Sequence, residues 1–143
     1  MDYGGHDSKF TNNFVYAYGK HCFGTGSFRK GHADIFADNT CIVVDRTETT
    51  SEDVDDRHEM TTDPAGSNVG TLYQCSAKDG MNPANNRYYT ANGEATWKCP
   101  ANSDPLTLSD MQQMGFEINS TVNVIPDDVT IIMNWAKQVL GLN

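Results

Sequence analysis

The pattern of apolar and polar residues repeats early in the chain. Residues 5–17 align without a gap on residues 31–43, and Gly, His, Phe and Asn coincide in the two copies. Apolar or β-branched residues follow the shared Asn in each copy, and residues 9–11 and 14–18 of the first copy alternate as in strands that bury one face. A repeat this short predicts one supersecondary unit per copy, packed against the next unit.

The same signatures recur further along the chain. The Asn signature returns at residues 85–89 and, more weakly, at residues 119–124. A second signature, an aromatic residue followed by Cys and Ala, aligns Cys75 with Cys99, and Cys22 fits the same position in the first copy. Each unit therefore carries an Asn turn, a short strand and a Cys-bearing strand. This predicts three coils, at residues 5–26, 31–77 and 82–101.

Asparagine at a recurring corner is typical of stacked β-coils. Its backbone tolerates the left-handed conformation that a sharp corner requires, and its amide can hydrogen-bond to the Asn of the next coil. Strands of stacked coils lie about 4.8 Å apart, so we expect Asn13, Asn39 and Asn86 to form one column. The pattern predicts parallel β-coils over residues 1–101, with the polar, acidic residues 46–68 as a long inserted loop.

The pattern changes in residues 102–143, where we expect two short helices. Thr107 and Asp110 have the spacing of a capping box that opens a helix. Pro126-Asp127-Asp128 starts a second helix, which carries an apolar face. We expect this tail to cap the last coil, although the apolar stripe beside Trp135 would also suit a partner.

The corner pairs and the strands that follow them resemble those of the right-handed parallel β-helix proteins of the pectate-lyase-like type. The resemblance covers most of residues 5–101, and the tail after Gly115 also looks like the ends of such chains. It rests on three corner pairs with the apolar residues that follow them: Asn12-Asn13, Asp38-Asn39 and Asn85-Asn86. It implies an all-β fold, a short right-handed parallel β-helix of about three coils with a C-terminal helical cap, as the C-terminal portion of a longer protein.

The net charge changes the list of partners. The 143-residue chain has a formal net charge of −9 at pH 7 and no basic stripe. Binding phosphates requires clustered Lys and Arg, so we expect no nucleic acid and no anionic membrane surface as partner. The first coil begins without a polar cap, which solenoids need at their ends. We therefore expect upstream coils, or self-association through the uncapped N-terminal coil.

The four cysteines leave two interpretations open. Cys22, Cys75 and Cys99 share one position in successive coils, where they either pack as reduced thiols or form one disulfide within the column. Cys41 lies outside that column and is expected to be a core residue. The spacings match no zinc motif, so we predict no metal site built on cysteine.

The resemblance implies chemistry in a groove along one sheet, as in polysaccharide lyases and hydrolases of this fold. A lyase needs a base, and a cation to neutralise the uronate carboxylate. Basic side chains cluster between the first two coils. The candidate catalytic residues are Lys20, His21, Arg29 and His32, and the candidate substrate-binding residues are Lys30, Tyr89 and Trp97.

These residues also have structural interpretations. His32 has a counterpart in the first copy of the repeat, which favours a hydrogen-bonded corner, whereas His21 has none and is the better catalytic candidate. Tyr89 and Trp97 are typical packing residues of a β-rich core. A hydrolase would instead use two carboxylates about 5 to 9.5 Å apart. The candidates for that role are Asp34, Asp38 and Asp45.

One acidic run has the oxygen ligands that calcium prefers. Residues 52–56 with Glu59 supply the carboxylates, but the run lacks the spacing and glycine of an EF-hand loop. A solvated charge run is the simpler interpretation. We expect no cofactor, with Ca²⁺ left open as the alternative.

The sequence thus favours one function and leaves others open. By resemblance, we expect the C-terminal part of an extracellular or cell-surface β-helix protein that binds or cleaves polysaccharide, as a lyase or a hydrolase. Whether the chain is an enzyme stays undecided at this point. The alternative is a non-catalytic β-solenoid for adhesion or assembly, and a weaker third option is a small β-sandwich or lectin-like module.

Overall fold

The protein is predominantly β in the residues that its structure, a computed structural model, describes. These are residues 7–18, 21–24, 32–44, 68–72, 81–99 and 104–142. In chain order the elements are β1 Lys9–Thr11, β2 Phe14–Tyr18, β3 Phe23–Gly24, β4 Asp34–Ala37, β5 Thr40–Val44, β6 Asn68–Thr71, β7 Met81–Ala84, β8 Arg87–Thr90, β9 Thr96–Lys98, β10 Leu106–Thr107, α1 Leu108–Gln113, β11 Thr121–Val124 and α2 Val129–Val139.

The strands of these described ranges form three sheets. Their orders are β1-β4-β7, β2-β5-β8-β11 and β3-β6-β9-β10, so each sheet takes one strand from each successive repeat. The paired strands run parallel throughout, except that β10 is antiparallel to β9. The prediction of a β-rich fold with parallel pairing between repeats is therefore confirmed.

The repeat seen in the sequence sets the strand register of two sheets. Phe10 lies beside Phe36, and Phe14 lies beside Thr40, so β1 and β2 pair with the strands one repeat later. Thr40 lies in turn beside Arg87 of β8. The alignment of the two copies, and that of the third Asn signature, is confirmed.

The register predicted for the third sheet is wrong. Phe23 lies beside Gly70, and Gly70 lies beside Trp97, so Cys22 and Cys99 occupy different positions along their strands. The reason is volume, because a Cβ on Gly70 would come within 2.5 Å of the Phe23 ring. Two buried aromatic residues therefore need a glycine between them, and matching aromatic residue to aromatic residue in the sequence gave the wrong register.

The cysteine column is also corrected. Cys22 forms a disulfide with Cys41, and their Cα atoms lie 6.2 Å apart. Cys41 points inward from β5 and is fully buried, as expected of a core residue, but it lies outside the predicted column and is the residue that Cys22 reaches. Cys99 is also disulfide-bonded. Reduced thiols are therefore the wrong alternative for Cys22 and Cys99, whereas Cys75 lies outside the described residues.

The inner faces of the three sheets meet in one hydrophobic core. Its buried members come from the first, second and third sheets and from the segment around α1. They include Phe36, Met81, Cys41, Val43, Tyr88, Phe23, Val69, Trp97, Met111 and Phe116. Tyr88 and Trp97 pack edge to face, with ring centroids 5.4 Å apart.

Both predicted helix starts are confirmed. The Thr107 hydroxyl accepts a hydrogen bond from the Asp110 amide, and the Asp110 carboxylate accepts one from the Thr107 amide, which is a complete capping box for α1. Asp128 caps α2 by accepting from the Thr130 amide at 2.8 Å.

The second helix lies against the outer face of the second sheet. Trp135 stacks on Tyr89 with ring centroids 4.6 Å apart, but no residue of α2 is fully buried. Several apolar side chains of α2, such as Val129 and Met133, are exposed. Neither helix is long and apolar enough to span a membrane, as judged from the described residues. That the tail caps the last coil stays a prediction.

Candidate functional site

Three asparagines form a hydrogen-bonded ladder along the corner between the first and second sheets. The backbone N–H and the Nδ2 of Asn13 donate to Oδ1 of Asn39, at 2.9 and 3.0 Å. The same two groups of Asn39 donate to Oδ1 of Asn86, at 3.0 and 3.2 Å. The predicted single column of Asn13, Asn39 and Asn86 is confirmed, and every step of the ladder points from donor to acceptor in the same direction.

Each ladder amide also holds the strand of the repeat before it. Asn39 Nδ2 donates to the Phe10 carbonyl and Asn86 Nδ2 donates to the Phe36 carbonyl, both at 2.9 Å. The Asn39 side chain therefore uses both amide protons and accepts two hydrogen bonds at its oxygen. Buried polar groups destabilise a fold unless they are satisfied in this way.

The residue before each ladder position makes the corner. Its backbone is left-handed, with φ between 54 and 59°. The residues are Asn12, Asp38, Asn85 and Asn119. Asn and Asp tolerate this conformation better than other residues with a side chain. In each pair, therefore, the first residue makes the turn and the second residue supplies the side chain of the ladder.

The ladder ends at a buried carboxylate that sequence reasoning did not select. Ser120 takes the fourth position, where its Oγ accepts from the Asn86 amide and donates to Glu117 at 2.6 Å. Asn86 Nδ2 and the Tyr88 hydroxyl also donate to the Glu117 carboxylate, at 3.2 and 2.6 Å. The only sequence signal was an acidic residue set between Phe116 and an isoleucine, directly before the fourth Asn signature.

Burial dominates the electrostatics at this end of the ladder. It raises the pKa of Glu117, because the charged form loses solvation, while the hydrogen bonds from Ser120, Tyr88 and Asn86 act in the opposite direction. Burial and the neighbouring Glu117 raise the pKa of Tyr88 well above its ordinary value, so Tyr88 remains a hydroxyl donor. The Trp97 indole also lowers the pKa of Glu117, although its N–H makes no hydrogen bond of ordinary geometry. With no exposed surface, Glu117 is out of reach of a substrate and serves to end the ladder.

The other end of the ladder is open. Asn13 is exposed, and in the described part of the chain no group donates to its Oδ1. Among the strands that the structure describes, β1, β2 and β3 each lie at the edge of their sheet. Phe10, which continues the inward-facing column of Phe36, remains 39% exposed at this end. We name the outer side of β1, β2 and β3, with Asn13 and Phe10, the open edge.

Two tyrosines stand side by side on the outer face of β2. Tyr16 and Tyr18 are 56% and 54% exposed and, being two residues apart on one strand, point to the same side. The sequence predicted the alternation of this strand but did not select these residues for binding. Exposed aromatic rings of this kind can stack on a sugar ring.

Three of the seven predicted site residues lie outside the described ranges. They are Lys20, Arg29 and Lys30. The acidic candidates Asp45, residues 52–56 and Glu59 also lie outside the described ranges. The predicted basic cluster and the acidic run therefore stay predictions. Within the described residues no group of three or more His, Cys, Asp and Glu side chains is placed to hold a metal ion.

The remaining predicted residues are spread over the molecule. His32 Nδ1 lies 2.7 Å from the Asp7 carboxylate, a hydrogen-bonded pair between the two copies of the repeat. His21 is exposed and its ring lies over Gly24. Trp97 is fully buried and therefore acts as a core residue, because a buried indole offers no ring face to a polysaccharide. Tyr89 is half-buried under Trp135.

No protein-family model, no curated protein and no solved structure matches this chain. The ladder, the open edge and the tyrosine pair are therefore the observations on which a function can be based.

Proposed function

We propose that this chain is a module of an extracellular right-handed parallel β-helix protein and that it serves adhesion or assembly. Parallel pairing at the spacing of the repeat, the single shared core and the asparagine ladder support this fold. The resemblance to pectate-lyase-like proteins belongs to the same proposal. Of the two functions that the sequence left open, the non-catalytic one agrees better with the geometry.

The open edge is the observation that carries this proposal. An unpaired edge strand leaves backbone N–H and C=O groups free to pair with another chain. The Thr40 amide donates to the Asn13 carbonyl, so the backbone groups of Phe14, Tyr16 and Tyr18 point away from β5. An exposed Phe10 adds apolar surface beside these unpaired groups. The combination suits pairing with another β-structure.

The oxidised cysteines support an extracellular location. Cys22, Cys41 and Cys99 are disulfide-bonded. Disulfides persist in oxidising compartments and are rare in the cytosol. The proposed location therefore agrees with the chemistry of the cysteines.

Self-association at the open edge tests the proposal. In Tyr16→Pro the outward backbone N–H is lost, while the β2–β5 hydrogen bonds remain because Tyr16 takes no part in them. Tyr16→Thr is the matched control, since it loses the same ring and keeps the N–H. Analytical ultracentrifugation should show association of the wild-type protein that rises with concentration, is lost in Tyr16→Pro and is retained in Tyr16→Thr. A monomer at every concentration, or association that Tyr16→Pro leaves unchanged, would contradict the proposal.

Polysaccharide binding is the second candidate, and the tyrosine pair favours it. Stacking on Tyr16 and Tyr18 would bind a sugar chain without a deep pocket. Titration with pectin, alginate and a neutral glucan, followed by tyrosine fluorescence, should show binding that Tyr16→Ala with Tyr18→Ala abolishes. An absorbance of unsaturated uronate that grows with time and disappears in His21→Ala would instead establish a lyase. Absence of binding to all three polymers would exclude this candidate for these sugar classes.

A further inference from the structure

The polarity of the asparagine ladder determines which partner fits the open edge. Each step runs the same way, because a ladder Asn donates its backbone N–H and one Nδ2 proton to the Oδ1 of the repeat that follows. Asn13 is the first donor of this series, so its own Oδ1 is left as an acceptor at the open edge. A partner that continues the ladder must supply two donors to this oxygen.

A second group of Asn13 constrains the partner further. One Nδ2 proton goes to Asn39, and within the described residues the other has no acceptor. In the next steps that second proton goes to the carbonyl three residues before the preceding ladder position, as from Asn39 to Phe10 and from Asn86 to Phe36. The partner must therefore present a carbonyl three residues before its own donor.

We propose, on the basis of the assembly function above, that the open edge binds the C-terminal side of another stack of parallel β-coils that carries Asn at this corner. Such a coil supplies the backbone N–H, the Nδ2 proton and the carbonyl in the arrangement that this chain already uses between its own repeats. An aspartate at that position would place a second acceptor against Asn13 Oδ1. The open edge therefore selects asparagine over aspartate at the ladder position of the partner.

A second copy of this chain does not offer that complement. At the far end of the ladder, the donors of Asn86 are already taken by Ser120 and Glu117. β10, the strand that follows β9 in its sheet, is antiparallel and does not continue the parallel order. A second copy could present its own open edge, where the second Nδ2 proton of each Asn13 can donate to the Oδ1 of the other, but the strands would be antiparallel and neither the backbone N–H nor the carbonyl of a ladder step would be supplied. Self-association through the edge is therefore the weaker mode, and the module ends a stack instead of extending it.

An added coil tests this inference in the intact chain. A second copy of residues 5–30 is inserted directly before Gly5, so that the copied Asn13 lies one repeat ahead of the native Asn13. Cys22→Ser in the copy prevents disulfide exchange. Three versions are compared: the copy as it is, the copy with Asn13→Asp, and the copy with Asn12→Gly as a control that keeps the left-handed corner. Amide hydrogen exchange of native Phe14 and Tyr16 reports pairing of the edge, and the melting temperature reports stability.

In the proteins with the unmodified copy and with the Asn12→Gly copy, we expect these two amides to exchange at least about tenfold more slowly and the melting temperature to rise. In the protein with the Asn13→Asp copy, we expect little change in the exchange rate or in the melting temperature. Equal protection in all three versions would overturn the inference and leave edge pairing, and with it the assembly function, intact. No protection in any version would also overturn it. The assembly function fails separately, if the unextended protein shows no association that Tyr16→Pro removes.

Discussion

At the scale of single residues, the ladder shows why the buried side chain at a β-corner needs both a hydrogen-bond donor and an acceptor. Asn39 is fully buried and makes hydrogen bonds with Asn13, Phe10 and Asn86. A side chain that lacks the donor removes a hydrogen bond from the buried Asn86 oxygen and from the Phe10 carbonyl, and one that lacks the acceptor removes two from Asn13. The penalty of an unsatisfied buried group, and not the modest net gain from one hydrogen bond, sets the cost.

Asn39→Ala should therefore be one of the most damaging single changes in the described region. We expect the free energy of unfolding to fall by about 2–4 kcal/mol, because the backbone amide of Asn13 and the Asn86 oxygen lose a partner. Urea denaturation followed by circular dichroism measures the change. Asn82→Ala, on an exposed position of β7, is the control and should change it by less than about 0.5 kcal/mol. Equal effects of the two substitutions would contradict a ladder role.

Glu117 gives the ladder a pH dependence whose sign follows from its raised pKa. The folded protein favours the protonated form more than the unfolded chain does, so Glu117 contributes stability below its unfolded pKa of about 4.3, and this contribution is lost as pH rises through the higher folded pKa. Glu117→Gln removes the titration and keeps the shape. The unfolding free energy of the wild type minus that of the variant should be greatest in acid and should decline with rising pH.

Urea denaturation from about pH 3 to about pH 8 measures this difference. The matched control is Glu94→Gln, the same substitution at an exposed position. A wild-type advantage that grows with pH would show instead that the three donors favour the carboxylate more than burial disfavours it.

At the scale of elements, the strands differ from α2 in how firmly they are held. Strands of the second sheet bury residues such as Ile42 and Tyr88 completely, whereas α2 buries none and contacts the sheet through side chains such as Trp135, which stacks on Tyr89. Elements with few buried contacts open at low free energy while the core stays folded. The helix is therefore the element that should separate first.

Trp135→Ala should release α2 without unfolding the sheets. We expect amide exchange within Val129–Val139 to quicken by about tenfold, because the aromatic contact with Tyr89 is worth about 1 kcal/mol beyond its buried area. Exchange in β5 and β8 should change little, and hydrogen exchange with mass spectrometry resolves the two regions. Met133→Ala, which truncates an exposed residue of the same helix, is the control. A loss of protection in β5 would mean that α2 is part of the cooperative core.

At the scale of the whole molecule, the disulfide between Cys22 and Cys41 ties two sheets together across the core. Cys41 belongs to β5 and Cys22 lies directly before β3, and 19 residues separate them in sequence. A crosslink of this kind reduces the freedom of the unfolded chain, and a loop of this size is worth about 3 kcal/mol in the chain-entropy model. For a protein of 143 residues this is a large part of the usual margin of stability.

Cys22→Ala with Cys41→Ala should lower the free energy of unfolding by about 3 kcal/mol. The midpoint of urea denaturation measures the loss, and adding a reductant should lower the midpoint of the wild-type protein more than that of the double variant. Both proteins keep Cys99, which separates the effect of this bond from that of other disulfides. A double variant as stable as the wild type would show that the unfolded chain is already restrained in another way.

The sequence alone determined the features that depend on local backbone chemistry and on the spacing of the repeat. The left-handed corners, the column of Asn13, Asn39 and Asn86, the parallel register of the first two sheets and both helix caps followed from residue type and position. These features need only a residue and its equivalent one repeat away. The repeat in the sequence shows directly which residues are equivalent.

Only the tertiary structure decided which side chains meet across the interior. The Cys22–Cys41 pair, the glycine between Phe23 and Trp97, and Glu117 under the last step of the ladder join residues that no repeat relates. Their positions depend on volume and on hydrogen-bond partners supplied by other sheets. The sequence predicts an uncapped first coil, but which backbone groups this coil leaves unpaired follows only from the strand order of the described sheets. Those unpaired backbone groups are what the proposed binding surface offers to a partner.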